Sequence, residues 1–472
     1  MTRVPFLYHF VLGKLSVVRP PGVDGTLWLR LINVVLSMMT VFLAYRLAQR
    51  LVEDWPTRIL FLVMVTNTLM FTFIGAAVSY DNLTNLLAVA GLAALFGFLR
   101  SGRPRELLAL LVWLLLGSLT KVSFLPLAMF LGMILLLDRR GRILTDIRGL
   151  VVEIRSGKPS TVALAIVGLV VLAANLWLYG GNLVRYGKPV PACQQVLDLE
   201  ACMENRIFAR NWIVAQYRDG ETTLDEAIRA TTKIDHAGDR DHAIRLLRNE
   251  VAYKESNPEL LPVLDYMDLI WGRGMKPAIF GIQAHVSMLK PPSALLPYNL
   301  ILLAAFLLWV RGCTWGGAGR SWVYLGGLSL AYFVFLAGMY LYSGYLVSHA
   351  PFLGVQGRYI FPVLVPACLV TARFLLGPFR EAIRVALLVV VSAVFIYGDL
   401  PYFLRHAGDA WFGAAGSVSA EPQAQGLERP ERLTSVPAVG GPWCSPDRSS
   451  VGCSTARGRP PHVPWPPGSK RG

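Results

Sequence analysis

Charge is what this chain has least of. Of its 472 residues only 16% are Asp, Glu, Lys or Arg, against 54% hydrophobic, and the mean hydropathy is +0.48. A soluble globule carries roughly a quarter charged residues, so that class is excluded. Acidic residues are the scarcer sign, 30 against 45 Lys and Arg, for a net charge of +15. Such a surplus raises nucleic acid as a partner. The cations, however, cluster in short loops between apolar runs, as topogenic charges do, so no nucleic-acid partner is expected. Histidine and cysteine are also few, at seven and six. No paired histidine stands near the cysteines and no carboxylate cluster resembles a ligand set, so no metal site is assigned. No internal repeat is visible, which counts against the transporter folds built from repeated halves. The N-terminus lacks the charged, apolar, small-residue progression of a cleavable signal.

What is present is a series of apolar runs of near-membrane length. Candidate spans fall at about 26–49, 58–78, 82–100, 106–120, 122–138, 161–181, 294–311, 321–345, 359–377 and 382–400. The expected fold is therefore all-α and polytopic, with about ten transmembrane helices. Before them, "VPFLYHFVLGKLSVV" is a half-span too short and interrupted to cross. Four regions follow: an N-terminal transmembrane bundle at 1–182, a loop domain at 183–293, C-terminal transmembrane helices at 294–405, and a tail at 406–472. The tail is rich in Pro, Gly, Ser and Arg without apolar periodicity, and is expected to be disordered. It also reads like a shifted frame of a GC-rich gene, and no function is assigned to it.

Alternate loops carry the cations. They are Arg46, Arg50 and Arg58; Arg100, Arg103 and Arg105; Arg139, Arg140, Arg142, Arg148, Arg155 and Lys158; Arg311 and Arg320; and Arg380 and Arg384. The positive-inside rule places all five loops in the cytoplasm of a plasma (inner) membrane. The opposite, extracytoplasmic face then receives 78–82, 119–124, the long loop 183–293 and 342–359. In that long loop, "TTLDEAIRATTKIDHAGDRDHAIRLLRNEVAYKE" has helical spacing and a Thr–Asp/Glu capping start, which predicts two short helices. Cys193 and Cys202, nine positions apart on the non-reducing side, point to a disulfide, with two buried thiols as the alternative. Cys313 and Cys368 read as inert.

Three ionisable residues need explaining, because charge at a membrane edge is costly and defaults to function. Asp81, in "VSYDN", is either a helix N-cap or a functional carboxylate, or both. The sequon Asn82-Leu83-Thr84 lies too close to the membrane to be trusted as a glycosylation site. Lys121, in "LTKVSF", is a cation on the face where topology asks for none; snorkelling is its alternative. Arg358, in "VQGRYIFP", is the third, flanked by Gln356, Gly357 and Tyr359, with an aromatic-belt anchor as the alternative. Together with Tyr80 and His349 these residues converge on one face. Two cations suit the phosphate of a lipid carrier and a carboxylate suits general-base activation of a hydroxyl.

Four consecutive pieces, "FLYHFVLGKL", "LRLINVVLSMMTVFLAYRLA", "SYDNLTNLLAVAGLAALFGFL" and "LGSLTKVSFLPLAMF", resemble GT-C superfamily glycosyltransferases of the protein-mannosyltransferase and aminoarabinose-transferase type. "VQGRYIFPVLVP" and "RYGKPVPAC" resemble more closely a bacterial family of multi-pass membrane proteins of unknown function within that superfamily. The likeness covers residues 1 to about 405. It implies a sugar transferase using a polyprenyl-phosphate-linked donor and an envelope glycan, lipid or protein as acceptor. By position it sets Lys121 at the family's lysine near the donor phosphate and Asp81 at its second external acidic residue. Arg358 and Tyr359 match the smaller family's late motif, to which the likeness assigns no role. On the chemistry of their side chains, Arg358 joins Lys121 as donor-phosphate-binding, and Asp81 is the catalytic candidate. Tyr80, His349, Gln356 and Tyr359 are substrate-site candidates, and no cofactor is expected, although some members of the superfamily use a divalent cation. The chain departs from the pattern at its start: no first-loop Asp precedes Asp24, as if the first span and loop were missing. A flippase for a lipid-linked sugar and a non-catalytic scaffold are the competing readings.

Sidedness is directly measurable. In intact cells, an impermeant thiol reagent is expected to label Arg358→Cys and to spare Arg140→Cys and Arg142→Cys; the reverse pattern inverts the orientation.

Overall fold

In the computed structural model the described residues are 4–406, apart from 257, 285–286 and 289; the expected tail at 407–472 lies outside them. The architecture is helical, with one pair of two-residue antiparallel strands, Gln283–Ala284 and Ser287–Met288. Among the described residues seven helices are long and apolar enough to cross a membrane, or eight if one bent pair counts as a span. The chain begins with α1 (Leu7–Val17), then α2 (Gly25–Leu51), whose first turn is capped by Asp24, which accepts from Leu27 N at 2.9 Å. α3 (Trp55–Thr66) and α4 (Leu69–Gly75) form the bent pair, broken by 62° where the sequence predicts one run. The cause is local: Asn67 Nδ2 and Thr68 Oγ1 take the carbonyls of Val63 and Met64 and so compete with the helical ladder.

α5 (Tyr80–Ser101) is the central helix. From Asp81 to Phe98 every residue but Ala93 is buried, because α2, α4, α6 and α7 all pack on it. Small residues on α5, Ala88, Ala90, Gly91, Ala94 and Gly97, let those helices come close. α6 (Pro104–Thr120) and α7 (Phe124–Arg139) are the two expected spans of marginal length, at 17 and 16 residues. At 1.5 Å per residue each is about 25 Å long, short of the roughly 30 Å of hydrocarbon.

α8 (Ile143–Arg155) lies in the segment that the sequence reads as a charged loop. It is an amphipathic helix with no buried residue, exposing Leu144, Ile147, Val151 and Val152. α9 (Pro159–Asn175) runs on through a π turn to Tyr186.

The loop domain has two short helices, Cys193–Val196 and Leu199–Met203, followed by three longer ones: α10 (Arg206–Arg218), α11 (Leu224–Thr231) and α12 (Ala237–Ser256). Two helices do follow from the Thr–Asp/Glu start, but the second has 20 residues instead of being short. The expected capping box is present, with Thr223 N on Glu226 Oε2 at 2.9 Å and Glu226 N on Thr223 Oγ1 at 3.3 Å. Ala209, Ile213, Ala227, Leu246 and Leu247 form its core, completed by Ala350 and Leu353 from a distant loop. Cys193 and Cys202 are joined by a disulfide.

The remaining part of the long loop belongs elsewhere. α13 (Val263–Leu269, continued by a π turn into Lys276–Phe280) packs in the main core through Tyr266, Ile270, Met275 and Ile279. The last apolar helices are α14 (Ser293–Thr314), α15 (Arg320–Ser348), α16 (Gly357–Leu376) and α17 (Glu381–His406).

The cationic loops meet at one end of α5. Arg100 donates to Arg50 O at 2.7 Å, Arg139 lies over Phe98 and holds Asp146 with two nitrogens, and Arg384 pairs with Asp54 at 2.5 Å. The N-terminus of α5 is about 30 Å away, 22 residues along.

Opening the Cys193–Cys202 loop removes a constraint on the unfolded chain of about 2–3 kcal/mol. The Cys193→Ser/Cys202→Ser protein is expected to melt lower, and the loop domain to be cleaved faster by added protease than α5.

A candidate anion site at the N-terminus of the central helix

Ser79, not Asp81, caps α5: its hydroxyl oxygen accepts from Asp81 N at 3.2 Å. The Asp81 carboxylate is thus released from capping, and its Oδ2 accepts the Ser79 hydroxyl at 3.1 Å. The side chain is buried, with 2% of the residue exposed. A carboxylate so placed needs cations, and two arrive.

Lys121 comes from the tight turn between α6 and α7. Its Nζ lies 2.7 Å from Asp81 Oδ1, with the side chain 14% exposed, so it turns inward instead of snorkelling to headgroups. The rings of Tyr80 and Tyr359 flank it at 4.8 and 4.9 Å, a two-sided aromatic cage for an ammonium. Arg358 comes from the 3-10 turn Gly357–Val363 that opens α16, and its Nε stands 3.4 Å from Asp81 Oδ2. Gly357 is required there: a β-carbon would come within 2.7 Å of Ile279 N on α13. Two of the three elements, the α6–α7 turn and the 3-10 turn, are bridged by Tyr332 of α15, whose hydroxyl lies 3.2 Å from Ser123 O and 3.3 Å from Tyr359 O. Sequence reading missed Tyr332; a tyrosine inside an apolar span was its only signal.

Of the candidates from sequence, Asp81, Lys121, Arg358, Tyr80 and Tyr359 therefore meet in one cluster. Gln356 adjoins it, half-buried, with an Oε1 that has no hydrogen-bond partner; Arg358 Nε likewise has none that meets bonding geometry. His349 is engaged elsewhere. It holds a left-handed backbone (φ 54°), pairs with buried Glu250 at 3.0 Å and stacks on Tyr253 at 3.7 Å. It ties its loop to α12 and is not brought into the Asp81 cluster. Asn82 of the formal sequon is buried and bonded to Asn33, Ile74 and Ala77, so it presents no surface for modification.

A buried lysine, Lys290, escaped the sequence reading. Lys290 Nζ donates to Phe280 O at 2.6 Å, Tyr298 Oη at 3.1 Å and Gly398 O at 2.5 Å, using all three protons. Burial pushes this amine down to about 8, opposed by the nearby Asp399 carboxylate. With every proton committed, it is a brace between α13, α14 and α17. Among the described residues no group of three or more His, Cys, Asp or Glu could hold a metal ion.

The triad carries one negative and two positive charges. Removing Asp81 strands two cations, while removing Lys121 leaves the carboxylate on Arg358 alone. Asp81→Ala is expected to cost about 3–5 kcal/mol. In a double-mutant cycle, Asp81→Ala with Lys121→Ala should show a coupling of about 1 kcal/mol or more, read from detergent-solution melting. Compared with protein-family models, with curated proteins and with solved structures, the chain matches none.

Proposed function

We propose that this protein is an integral-membrane glycosyltransferase of GT-C type. In this reading it transfers a sugar from a polyprenyl-phosphate-linked donor to an envelope glycan, lipid or protein acceptor. The observation that carries the reading is the surplus of cation at the triad: Lys121 and Arg358 share one carboxylate, and the Arg358 side chain is 26% exposed. A phosphate monoanion would balance that charge, with the guanidinium supplying a fork and the ammonium a point charge.

Proposed with it is a ten-span topology: α3 and α4 count as one crossing, and α6 and α7 as short ones. The membrane is the plasma (inner) membrane, with the triad and loop domain extracytoplasmic. That face matches the chemistry, since a lipid-linked donor needs no cytoplasmic nucleotide sugar.

The triad also suggests an order of events. With Lys121 Nζ 2.7 Å from one oxygen and Arg358 Nε 3.4 Å from the other, the Asp81 carboxylate is occupied. An incoming donor phosphate would take over the two cations and leave the carboxylate free to accept the proton of the acceptor hydroxyl. That oxygen attacks the anomeric carbon, the bond from carbon to phosphate oxygen breaks, and the polyprenyl phosphate departs with the added charge on Lys121 and Arg358. The same pairing favours one second reading, recognition of a lipid phosphate for transport without transfer.

Purified full-length protein should lose product glycolipid by about 100-fold in Lys121→Ala and in Arg358→Ala. Unchanged turnover in both removes the site assignment. Retained binding of the lipid-linked donor with no turnover in the wild type selects the transport reading.

A further inference from the structure

The loop domain carries a groove that the triad does not use. α10 buries Ala209 and Ile213 against α11 and α12 and presents the face containing Phe208, Asn211 and Trp212 outward. The rings of Phe208 and Trp212, one helical turn apart, lie nearly parallel, with an interplanar angle of 11° and centroids 6.1 Å apart. With Cys193, Asn205, Ile207, Asn211 and Ala215 they line a cavity of about 550 Å³. The disulfide from Cys193 to Cys202 ties the Cys193 part of that lining to the domain.

The lining contains no charged side chain, in a chain of net charge +15. Of the neighbouring arginines, Arg206 and Arg210 pair with Asp239 at 3.1 and 3.8 Å, and Arg210 Nε is also committed to Asn211 Oδ1 at 3.1 Å. Asn205 Oδ1 caps α10 and Asn211 Oδ1 accepts from Arg210, yet no hydrogen bond among the described residues uses the amide nitrogen of either. A near-parallel aromatic pair beside neutral amide donors in one lining discriminates among ligand classes. An anion finds no cation in the lining itself, and a purely apolar chain leaves the amides unpaired. A pyranose fits both parts: its C–H face, polarised by the ring oxygens, lies on the negative face of an aromatic ring, and its hydroxyls accept from amides.

We propose that this groove is a carbohydrate-binding subsite for a neutral glycan. The subsite stands on its own chemistry; its role as the holder of the acceptor rests on the transfer reading above. The domain is coupled to the segment that leads into the triad, since Arg218 donates to Val347 O at 2.8 Å and Glu250 holds His349, nine residues before Arg358. A glycan held on α10 is thereby tethered to the same face as Asp81.

The test is binding of full-length protein in detergent to an array of neutral gluco-, manno-, galacto- and N-acetylglucosamine-configured tetrasaccharides. Capture by at least one is expected, reduced about tenfold or more in Trp212→Ala and in Asn211→Ala. Trp212→Phe, which keeps a ring, should retain most of it, and Lys121→Ala should retain all of it. No capture of the wild type, or capture unchanged in Trp212→Ala, overturns the proposal. In nanodiscs containing brominated phospholipid, quenching that disappears in Trp212→Phe overturns it too, because the face would then lie in the bilayer. Capture without sugar transfer would remove the transferase reading alone, and transfer without capture would remove only this subsite.

Discussion

The arrangement depends on a carboxylate that cannot stand alone. Asp81 sits at the first turn of a helix that is buried almost end to end, where an unpaired charge costs several kcal/mol. Its two cations are 40 and 277 positions away in the chain, on a turn between α6 and α7 and on a 3-10 turn before α16. Meeting that demand brings the ends of three separate helices to one level. Tyr332 then binds two of those turns to each other through their carbonyl oxygens. Shape and charge are set by the same contacts, so a substitution in the triad is a question about both.

The rest of the bundle follows from the central position of α5. Small side chains along it let neighbours approach, and its two ends carry opposite chemistry. At the C-terminal end, arginines from alternate loops bond to carbonyls, to Asp54, to Asp146 and to the face of Phe98. At the N-terminal end, cations are held by aromatic rings and by one buried acid. The loop domain attaches on that second side through the segment 347–353, whose Ala350 and Leu353 complete a core that α10, α11 and α12 leave open.

Parts of this were readable from the residues. The apolar runs are helices, because their length and composition leave little else for a backbone that must satisfy its own polar groups. Asp81, Lys121 and Arg358 stand out because each is an ionisable group at an apolar edge. Other features were not readable. The kink between α3 and α4 depends on Asn67 and Thr68 side chains choosing carbonyls within the helix, which a hydropathy average does not register. The duty of His349 depends on Glu250, 99 positions earlier. Lys290 carried the signal that marked Lys121, a cation on the face without topogenic charge, and needed three acceptors from separate elements to show its role.

Local chemistry by itself therefore determined the class of molecule, the helical runs, the distribution of cations among alternate loops and the identity of the unusual charges. Hydrophobic transfer and backbone hydrogen bonding act over a few residues to a span, so both are written in consecutive positions. Only the tertiary structure decided which charges touch. Ion pairs between distant segments depend on helix packing and on burial, and neither has a period that a linear chain can display.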